Sequence, residues 1–280
     1  MIRTPLATVL AFSIACALGC DRPTPPSAAV NSSGPAMAPS AAPAAGSVSS
    51  AQATASATGP GTGAPHAGAT VTTFDTENVG ATPAAFEPVV GDWSIAVAGE
   101  AKGLLVDGSK WRSGTPSVDL ADQAKRLYGD RYAEFLDGVK TFASFPLAVA
   151  RGAAPTGDMR LRVRFYPIAG TVDQAAGIAF GIAPAGSYTG VRANALEDNL
   201  LLFTVVKGKR TVLDTVRGVA TPSRTWHVLT VEVRGTDVTV MVDGAKRFHD
   251  KLEATPRGRV GLWSKADSKV LFDDFEVTAL

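Results

Sequence analysis

The stretch WHVLTVEVRGTDVTVMVDG, residues 226–244, contains two runs in which apolar and polar residues alternate. The apolar residues recur at every second position, as in a β-strand that buries one face and exposes the other. Gly235-Thr236 lies between the two runs, where a short turn is needed. The stretch therefore predicts an antiparallel β-hairpin.

The same signal extends outward from this hairpin in both directions. The dipeptides Lys207-Gly208 and Asp243-Gly244 also lie next to such runs, as short hairpin loops do. Hairpins that follow one another at about ten-residue spacing predict an all-β fold, a two-sheet antiparallel jelly-roll sandwich. The further strand-like runs are residues 159–165, 177–183, 199–206, 210–216 and 269–277.

One stretch breaks this pattern. In DLADQAKRLYGDRYAEFLDGV, residues 119–139, the apolar residues recur near helical spacing, and Gly129-Asp130 divides them into two groups. We therefore expect a short helical insert at about 118–139, made of two short helices that pack over an edge or face of a sheet.

The pattern Trp226-His227-x-Leu229-x-Val231, followed by Gly235 and then Val242-Asp243-Gly244, resembles the signature hairpin of laminin-G-like and other concanavalin A-like domains. The segments RANALEDNLLLF, KGKR, TWHVL and GLWSKADSKVLFDDFEV are similar to a family of bacterial secreted proteins with this jelly roll, and the likeness covers most of residues 93–280. The resemblance implies the fold. It leaves the activity open, because the superfamily includes lectins, adhesion modules, glucanases and a sugar-hydrolase-like branch.

The N-terminus has the features of an export signal. A basic Arg3 precedes a mostly apolar stretch, residues 5–19, that is shorter than the ~20 residues of a membrane-spanning helix. It ends in Leu18-Gly19-Cys20, which resembles the lipobox of bacterial lipoproteins. The resemblance implies that residues 1–19 are removed and that Cys20 carries a lipid, which anchors the protein in the bacterial cell envelope, facing the periplasm or the exterior. An ordinary secretory signal is the alternative.

Residues 20–70 differ in composition from the rest of the chain. They are mostly Ala, Pro, Ser, Gly and Thr, with no charged side chain after Arg22. Such a composition cannot bury enough apolar surface to offset the entropy of ordering, so we expect a disordered tether. Residues 71–280 then form one jelly-roll domain.

Charge and cysteine content exclude several classes of protein. The chain has 27 basic and 26 acidic residues, so its charge gives no electrostatic case for nucleic acid. Only Cys16 and Cys20 are present, which leaves the mature chain without a disulfide or a cysteine metal site. We expect a monomer without a cofactor.

Polar residues concentrate in SYTGVRANALEDNLLL, residues 187–202. Alternation places Tyr188, Arg192 and Asn194 on one face of a strand, with small apolar residues on the other. An aromatic ring together with fixed hydrogen-bond donors is suited to sugar binding, and the resemblance implies that a glycan lies on this outward face. The candidate ligand-binding residues are Tyr188, Arg192, Asn194, Glu197 and Asn199.

A structural interpretation of the same residues remains open. Arg192 would then pair with Glu197 or Asp198, and Asn194 would cap the turn between two strands. The sequence does not decide between this interpretation and a ligand groove.

Three functions are compatible with these residues. We expect non-catalytic binding of a carbohydrate or another envelope polymer. A glycoside-cleaving enzyme is the first alternative; it needs two carboxyl groups that flank the bond, and the E-x-D-x-x-E string of the superfamily's retaining glucanases is absent. The nearest substitutes are Glu197-Asp198 and Asp273-Asp274-x-Glu276. A protein-docking or structural module is the second alternative.

The resemblance also implies a metal site. Related domains often hold a structural Ca²⁺ near the chain ends, through a carboxylate of the final strand. Asp273 matches that position and Asp75 is the candidate partner, since Ca²⁺ binds oxygen ligands. Pairing of Asp273 with neighbouring Arg or Lys side chains is the alternative.

Overall fold

A computed structural model describes residues 68–110, 145–152, 155, 157–183 and 186–280. The chain divides into two units, Met1–Thr54 and Ala55–Leu280, and every described residue belongs to the second. The predicted signal peptide, Cys20, nearly all of the predicted tether and the predicted helical insert lie outside the described residues. Among the described residues, no helix has the length and hydropathy needed to span a bilayer.

The described chain is built from antiparallel β-strands. They are β1 (Thr70–Thr72), β2 (Phe86–Val90), β3 (Trp93–Ala98), β4 (Ala101–Asp107), β5 (Leu147–Ala150), β6 (Met159–Ala169), β7 (Ala175–Ile182), β8 (Tyr188–Asn194), β9 (Asn199–Val206), β10 (Lys209–Arg217), β11 (His227–Arg234), β12 (Asp237–Val242), β13 (Ala245–Lys251), β14 (Arg259–Ser264) and β15 (Lys269–Ala279).

These strands form two sheets. The eight-stranded sheet has the order β13-β12-β11-β6-β15-β4-β3, with β1 paired to β15, and the seven-stranded sheet has the order β10-β9-β8-β7-β14-β5-β2. The predicted two-sheet antiparallel sandwich is therefore confirmed. The last two strands of the chain lie inside the sheets: β14 lies between β7 and β5, and β15 lies between β6 and β4.

The hairpin predicted over residues 226–244 is formed by β11 and β12. Leu229 pairs with Val242 and Val231 with Val240, and all four side chains are fully buried between the sheets.

The predicted loop Asp243-Gly244 joins β12 to β13, and its two φ angles are 53° and 77°. Two positive φ angles in a two-residue loop characterise the type I′ turn, whose twist matches that of paired strands.

The main core lies between the two sheets and follows the alternation of the sequence. Leu161 and Val163 of β6 face it from the eight-stranded sheet, and Leu200 and Leu202 of β9 from the seven-stranded sheet. Burial of one such side chain stabilises the fold by roughly 1.5–3 kcal/mol. This packing fixes which face of each strand points outward, and so it positions the candidate site.

Candidate functional site

The seven-stranded sheet carries a second apolar layer on its outer face, the face that points away from the core. Val191 of β8 belongs to the main core, whereas Tyr188 belongs to the outer layer together with Leu201 and Phe203 of β9. The sheet therefore has the two faces that the alternation in β8 predicts. Tyr188 is 4% exposed, so this end of the face is a packed layer.

Three aromatic rings form the base of this layer, which we call the aromatic floor: Phe145, Phe203 and Trp263. Their ring centroids are 5.5 Å apart for Phe145 and Trp263 and 4.9 Å apart for Phe203 and Trp263. The indole N–H of Trp263 donates to the Tyr188 hydroxyl at 3.1 Å. A Cβ atom at Gly190 would lie 2.4 Å from Cζ of Phe203. The Phe203 ring therefore packs against the backbone of β8 at a position where any side chain would collide with it.

Next to the floor lies a set of polar contacts that we call the outer network: Arg192, Glu197 and Asn199. Arg192 Nη2 donates to Glu197 Oε2 at 2.6 Å, and Arg192 Nη1 donates to Asn199 Oδ1 at 2.8 Å. Asn199 Nδ2 closes the triangle with a 3.0 Å bond to Glu197 Oε2. The Arg192 side chain is 2% exposed and that of Glu197 is 39% exposed, so Glu197 is the member that solvent reaches.

The outer network holds Glu197 as a carboxylate. Partial burial acts to raise the pKa of Glu197, but the hydrogen bond and the charge of Arg192 outweigh it and lower the pKa below its usual value. Glu197 is thus an acceptor for hydroxyl or N–H donors at neutral pH.

Asn194 belongs to a separate buried cluster. Its Nδ2 donates to Asp173 Oδ1 at 2.7 Å, and Lys265 Nζ lies 2.8 Å from the other oxygen of Asp173. Its Oδ1 accepts the backbone N–H groups of Gln174 and Leu196, each at 3.1 Å. Asn194 therefore fastens the ends of β7 and β8.

Asp173 is itself positioned by Asp267. The Asp267 carboxylate accepts the backbone N–H of Thr171 at 2.7 Å and those of Val172 and Asp173 at 3.0 Å. The Thr171 hydroxyl donates to the same carboxylate at 2.8 Å. Burial acts to raise the pKa of Asp267, but these hydrogen bonds hold it well below the usual range. Asp267 thus fixes the connection between β6 and β7.

Arg210 of the edge strand β10 lies over the aromatic floor. Its guanidinium carbon is 5.1 Å from the Phe145 ring centroid and 5.7 Å from that of Phe203, within the range of a cation–π contact. Burial and then the charge of Arg192 lower the pKa of Arg210. The sequence pattern did not single out this residue, although its position opposite Val205 in the pairing of β9 with β10 places it beside the outer face.

The structure brings three of the five candidate ligand-binding residues together and separates the other two. Arg192, Glu197 and Asn199 form the outer network, and Asn194 lies in the neighbouring cluster. Tyr188 lies at the other end of β8, in the packed layer. The contacts of the structural interpretation are present, since Arg192 pairs with Glu197 and Asn194 holds the turn. A ligand-binding role for the five residues stays a prediction.

The candidate calcium ligands lie on the outer face of the other sheet. Burial, then the charges of Asp274 and Asp75, raise the pKa of Asp273 to about 6, and Arg164 Nη1 lies 3.9 Å from its carboxylate. Phe272 and Phe275 both face the core because the register of β15 shifts after Asp273. Within the described ranges, no group of three or more His, Cys, Asp or Glu side chains is placed to hold a metal, so the calcium site stays a prediction.

A cleft of about 510 Å³ opens near β2 and β3, and both carboxylates in its lining face cations. Its arginine, Arg151, donates through Nε to the backbone oxygen of Phe86 at 3.2 Å. Glu87 faces Arg259 at 3.6 Å, and Asp92 faces Lys110 at 2.9 Å. Trp93 in its lining is 6% exposed, and the three rings of the aromatic floor are buried to a similar degree, so ring exposure does not distinguish the two regions.

No protein-family model matches this sequence, and no curated protein matches it either. Among solved structures, the carbohydrate-binding module CBM66 from Bacillus subtilis is similar with a TM-score of 0.50 and 13% identity, over 70% of this chain and 96% of that chain. A β-glucanase from Bacillus licheniformis gives a TM-score of 0.47 and 10% identity, over 76% of this chain and 99% of that chain. A Bacillus subtilis protein of unknown function with a galectin-like fold gives 0.46 and 10%, over 69% of this chain and 88% of that chain.

At such low identity the likeness to CBM66 concerns the fold alone. Together with the strand order, it shows that the described residues form a two-sheet jelly-roll sandwich.

Proposed function

We propose that this domain binds a carbohydrate without cleaving it, through the outer face of the seven-stranded sheet. The observation that carries the proposal is the outer network, in which a buried guanidinium and an amide hold a partly exposed carboxylate beside an aromatic floor. Fixed donors and acceptors are what sugar hydroxyls require, and the buried rings hold the network in place from below. The fold shared with a carbohydrate-binding module supports the proposal.

Binding is favoured over glycoside cleavage by the state of the carboxylates on this face. A general acid needs a raised pKa, whereas Arg192 lowers that of Glu197. Asp173 is fully buried and paired with Lys265. The carboxyl group with a raised pKa, Asp273, belongs to the other sheet.

A glycan array probed with the purified full-length chain tests this proposal. We expect specific binding to at least one glycan, and we expect Glu197→Gln to weaken it about tenfold, as the loss of one charge-assisted hydrogen bond does. Glu253→Gln, the same change at an exposed residue remote from β8 and β9, is the matched control and should bind normally. Absence of binding to every glycan would exclude the proposal and favour a protein-docking module.

We also propose that the protein is a lipid-anchored component of the bacterial cell envelope, with Cys20 as the anchor and residues 20–70 as a flexible tether. The support is the Leu18-Gly19-Cys20 sequence and the composition that follows it. Cys20→Ser should release the protein from the membrane fraction or leave residues 1–19 attached, as fractionation and mass spectrometry would show. Normal processing and membrane partition of this variant would contradict the anchor.

A further inference from the structure

Among the residues that the structure describes, Arg210 has no charged partner of opposite sign. Among the described residues it forms no ion pair, and its buried Nη1 makes no hydrogen bond. An arginine keeps its charge at all physiological pH values, so this partly buried guanidinium loses hydration without gaining a carboxylate. The ring faces of Phe145 and Phe203 compensate for part of this loss.

Arg192 adds to the imbalance. Its Nε is buried and also lacks a hydrogen-bond partner, and its positive charge acts on Arg210 across the outer face. Glu197 and Asp173 each already pair with a cation, Arg192 and Lys265 respectively. The outer face therefore contains one positive charge, that of Arg210, that no described carboxylate balances.

The hairpin that carries Arg210 is basic as well. Its loop and the start of β10 read KGKR, so that exposed Lys207 and Lys209 directly precede Arg210. The next acidic residue along β10 is Asp214. Clustered positive charge attracts anionic ligands and raises their rate of association.

We propose that Arg210, supported by the charge of Arg192, forms a carboxylate-binding subsite on the outer face of the seven-stranded sheet, and that the ligand of this domain is an acidic polysaccharide. The inference rests on the proposed carbohydrate binding and narrows it to one class of ligand. A sugar carboxylate would pair with the partly exposed guanidinium of Arg210, in the planar geometry that arginine favours. Arg192, whose side chain is 2% exposed, would add its positive charge to the attraction without touching the ligand.

The ligand side is tested with matched polymers and the full-length chain at 0.15 M salt. The probes are alginate, polygalacturonate and hyaluronan, each compared with its carboxyl-reduced form, and dextran sulfate compared with dextran. We expect at least one carboxylated polymer to bind at least tenfold more tightly than its reduced form. If the reduced polymers bind as tightly as their carboxylated forms, the inference of an acidic ligand is wrong, while the proposed carbohydrate binding stands. If dextran sulfate is the one polymer that binds, the inference that the ligand carries a carboxylate is wrong. If none of the polymers binds, both proposals are wrong.

The protein side is tested with Arg210→Gln. We expect its affinity for the acidic polymer to fall about ten- to a hundredfold, the loss typical of a charged hydrogen bond, with the Tm unchanged. Arg210→Lys, which keeps the charge and loses the planar fork, should recover part of the affinity. Arg234→Gln, the same charge change at an exposed residue of β11, is the control and should bind like the unmodified chain. A Tm lowered by several degrees with unchanged affinity would show that Arg210 serves only to hold the edge strand.

Discussion

The two sheets of this domain both place arginines on their outer faces, and they treat them differently. On the eight-stranded sheet, Arg160 Nε donates to Glu232 at 2.7 Å and Arg164 Nη1 lies 3.1 Å from Asp274. Each of these carboxylates belongs to a strand that pairs with β6. On the seven-stranded sheet, Arg210 lies over aromatic rings, and among the described residues it has no carboxylate partner.

This difference separates a face whose arginines pair with carboxylates from one with an arginine that has no such partner among the described residues. The eight-stranded face matches positive and negative charge across neighbouring strands, as cross-strand pairs do when they stabilise a sheet. The seven-stranded face combines a buried apolar layer, fixed polar groups and, among the described residues, one guanidinium that no carboxylate balances. The role of an arginine in an alternating strand therefore depends on the residue that lies opposite it, which alternation alone does not show.

The largest effect should come from removing the polar support of the seven-stranded face. Asp267→Ala leaves three backbone N–H groups and the Thr171 hydroxyl without their acceptor. We expect a loss of about 3–5 kcal/mol in the free energy of unfolding at pH 7, as for breaking a buried charged network, measured by urea denaturation.

The pH dependence of this loss identifies the carboxylate as its source. The pKa of Asp267 is depressed in the folded protein, so its contribution is present above the ordinary value of 3.8 and is lost as the pH falls below it. The difference between the Asp267→Ala variant and the unmodified chain should therefore shrink at acid pH. A difference that does not change with pH would point to lost packing instead.

The next effect compares one arginine from each face. Arg192→Ala should cost about 2–4 kcal/mol, because it removes a fully enclosed guanidinium and leaves Asn199 unsatisfied, while Glu197 regains water. Arg160→Ala should cost about 1 kcal/mol, since both partners of its pair are partly exposed. Thermal melts measure the loss of stability in each variant. Equal losses would contradict the difference between the two faces.

The last effect is a gain in stability, on the eight-stranded face. Asp273 has a folded pKa of about 6 against an ordinary value of 3.8, so its ionisation opposes folding increasingly as the pH rises from 3.8 to about 6. Asp273→Asn should therefore stabilise the protein at pH 7 by about 2 kcal/mol. The gain should disappear below pH 4, and a destabilised variant at pH 7 would show that the carboxylate is held by a partner, as the predicted calcium would do.

Local pattern was sufficient to predict much of this molecule. The alternation in β6, β11 and β12 predicted which residues face the core, because these strands bury one face more deeply than the other. The loop at Lys207-Gly208 was predictable for a different reason: its φ angles of 49° and 80° favour a glycine in the second position.

Features that depend on distant residues could not be predicted in this way. In β15 a register shift follows Asp273, and Asp274 adopts a φ of 48°. Strict alternation therefore fails, and Asp273 and Asp274 both lie near Arg164. The position of Arg210 depends on two rings from other parts of the chain, Phe145 and Phe203. The sequence contains one local indication of the aromatic floor. Trp263 follows the core residue Leu262 in β14, so alternation directs its side chain to the outer face.

The positions of β14 and β15 also determine when the domain can complete its folding. Without β14 the seven-stranded sheet consists of two separate parts, β10-β9-β8-β7 and β5-β2, and without β15 the larger sheet separates in the same way between β6 and β4. Hairpins such as β11-β12 can form early from local contacts, whereas these joins link residues far apart in the chain and close slowly. We therefore expect residues 259–279 to join late in folding, since both sheets depend on them for their continuity.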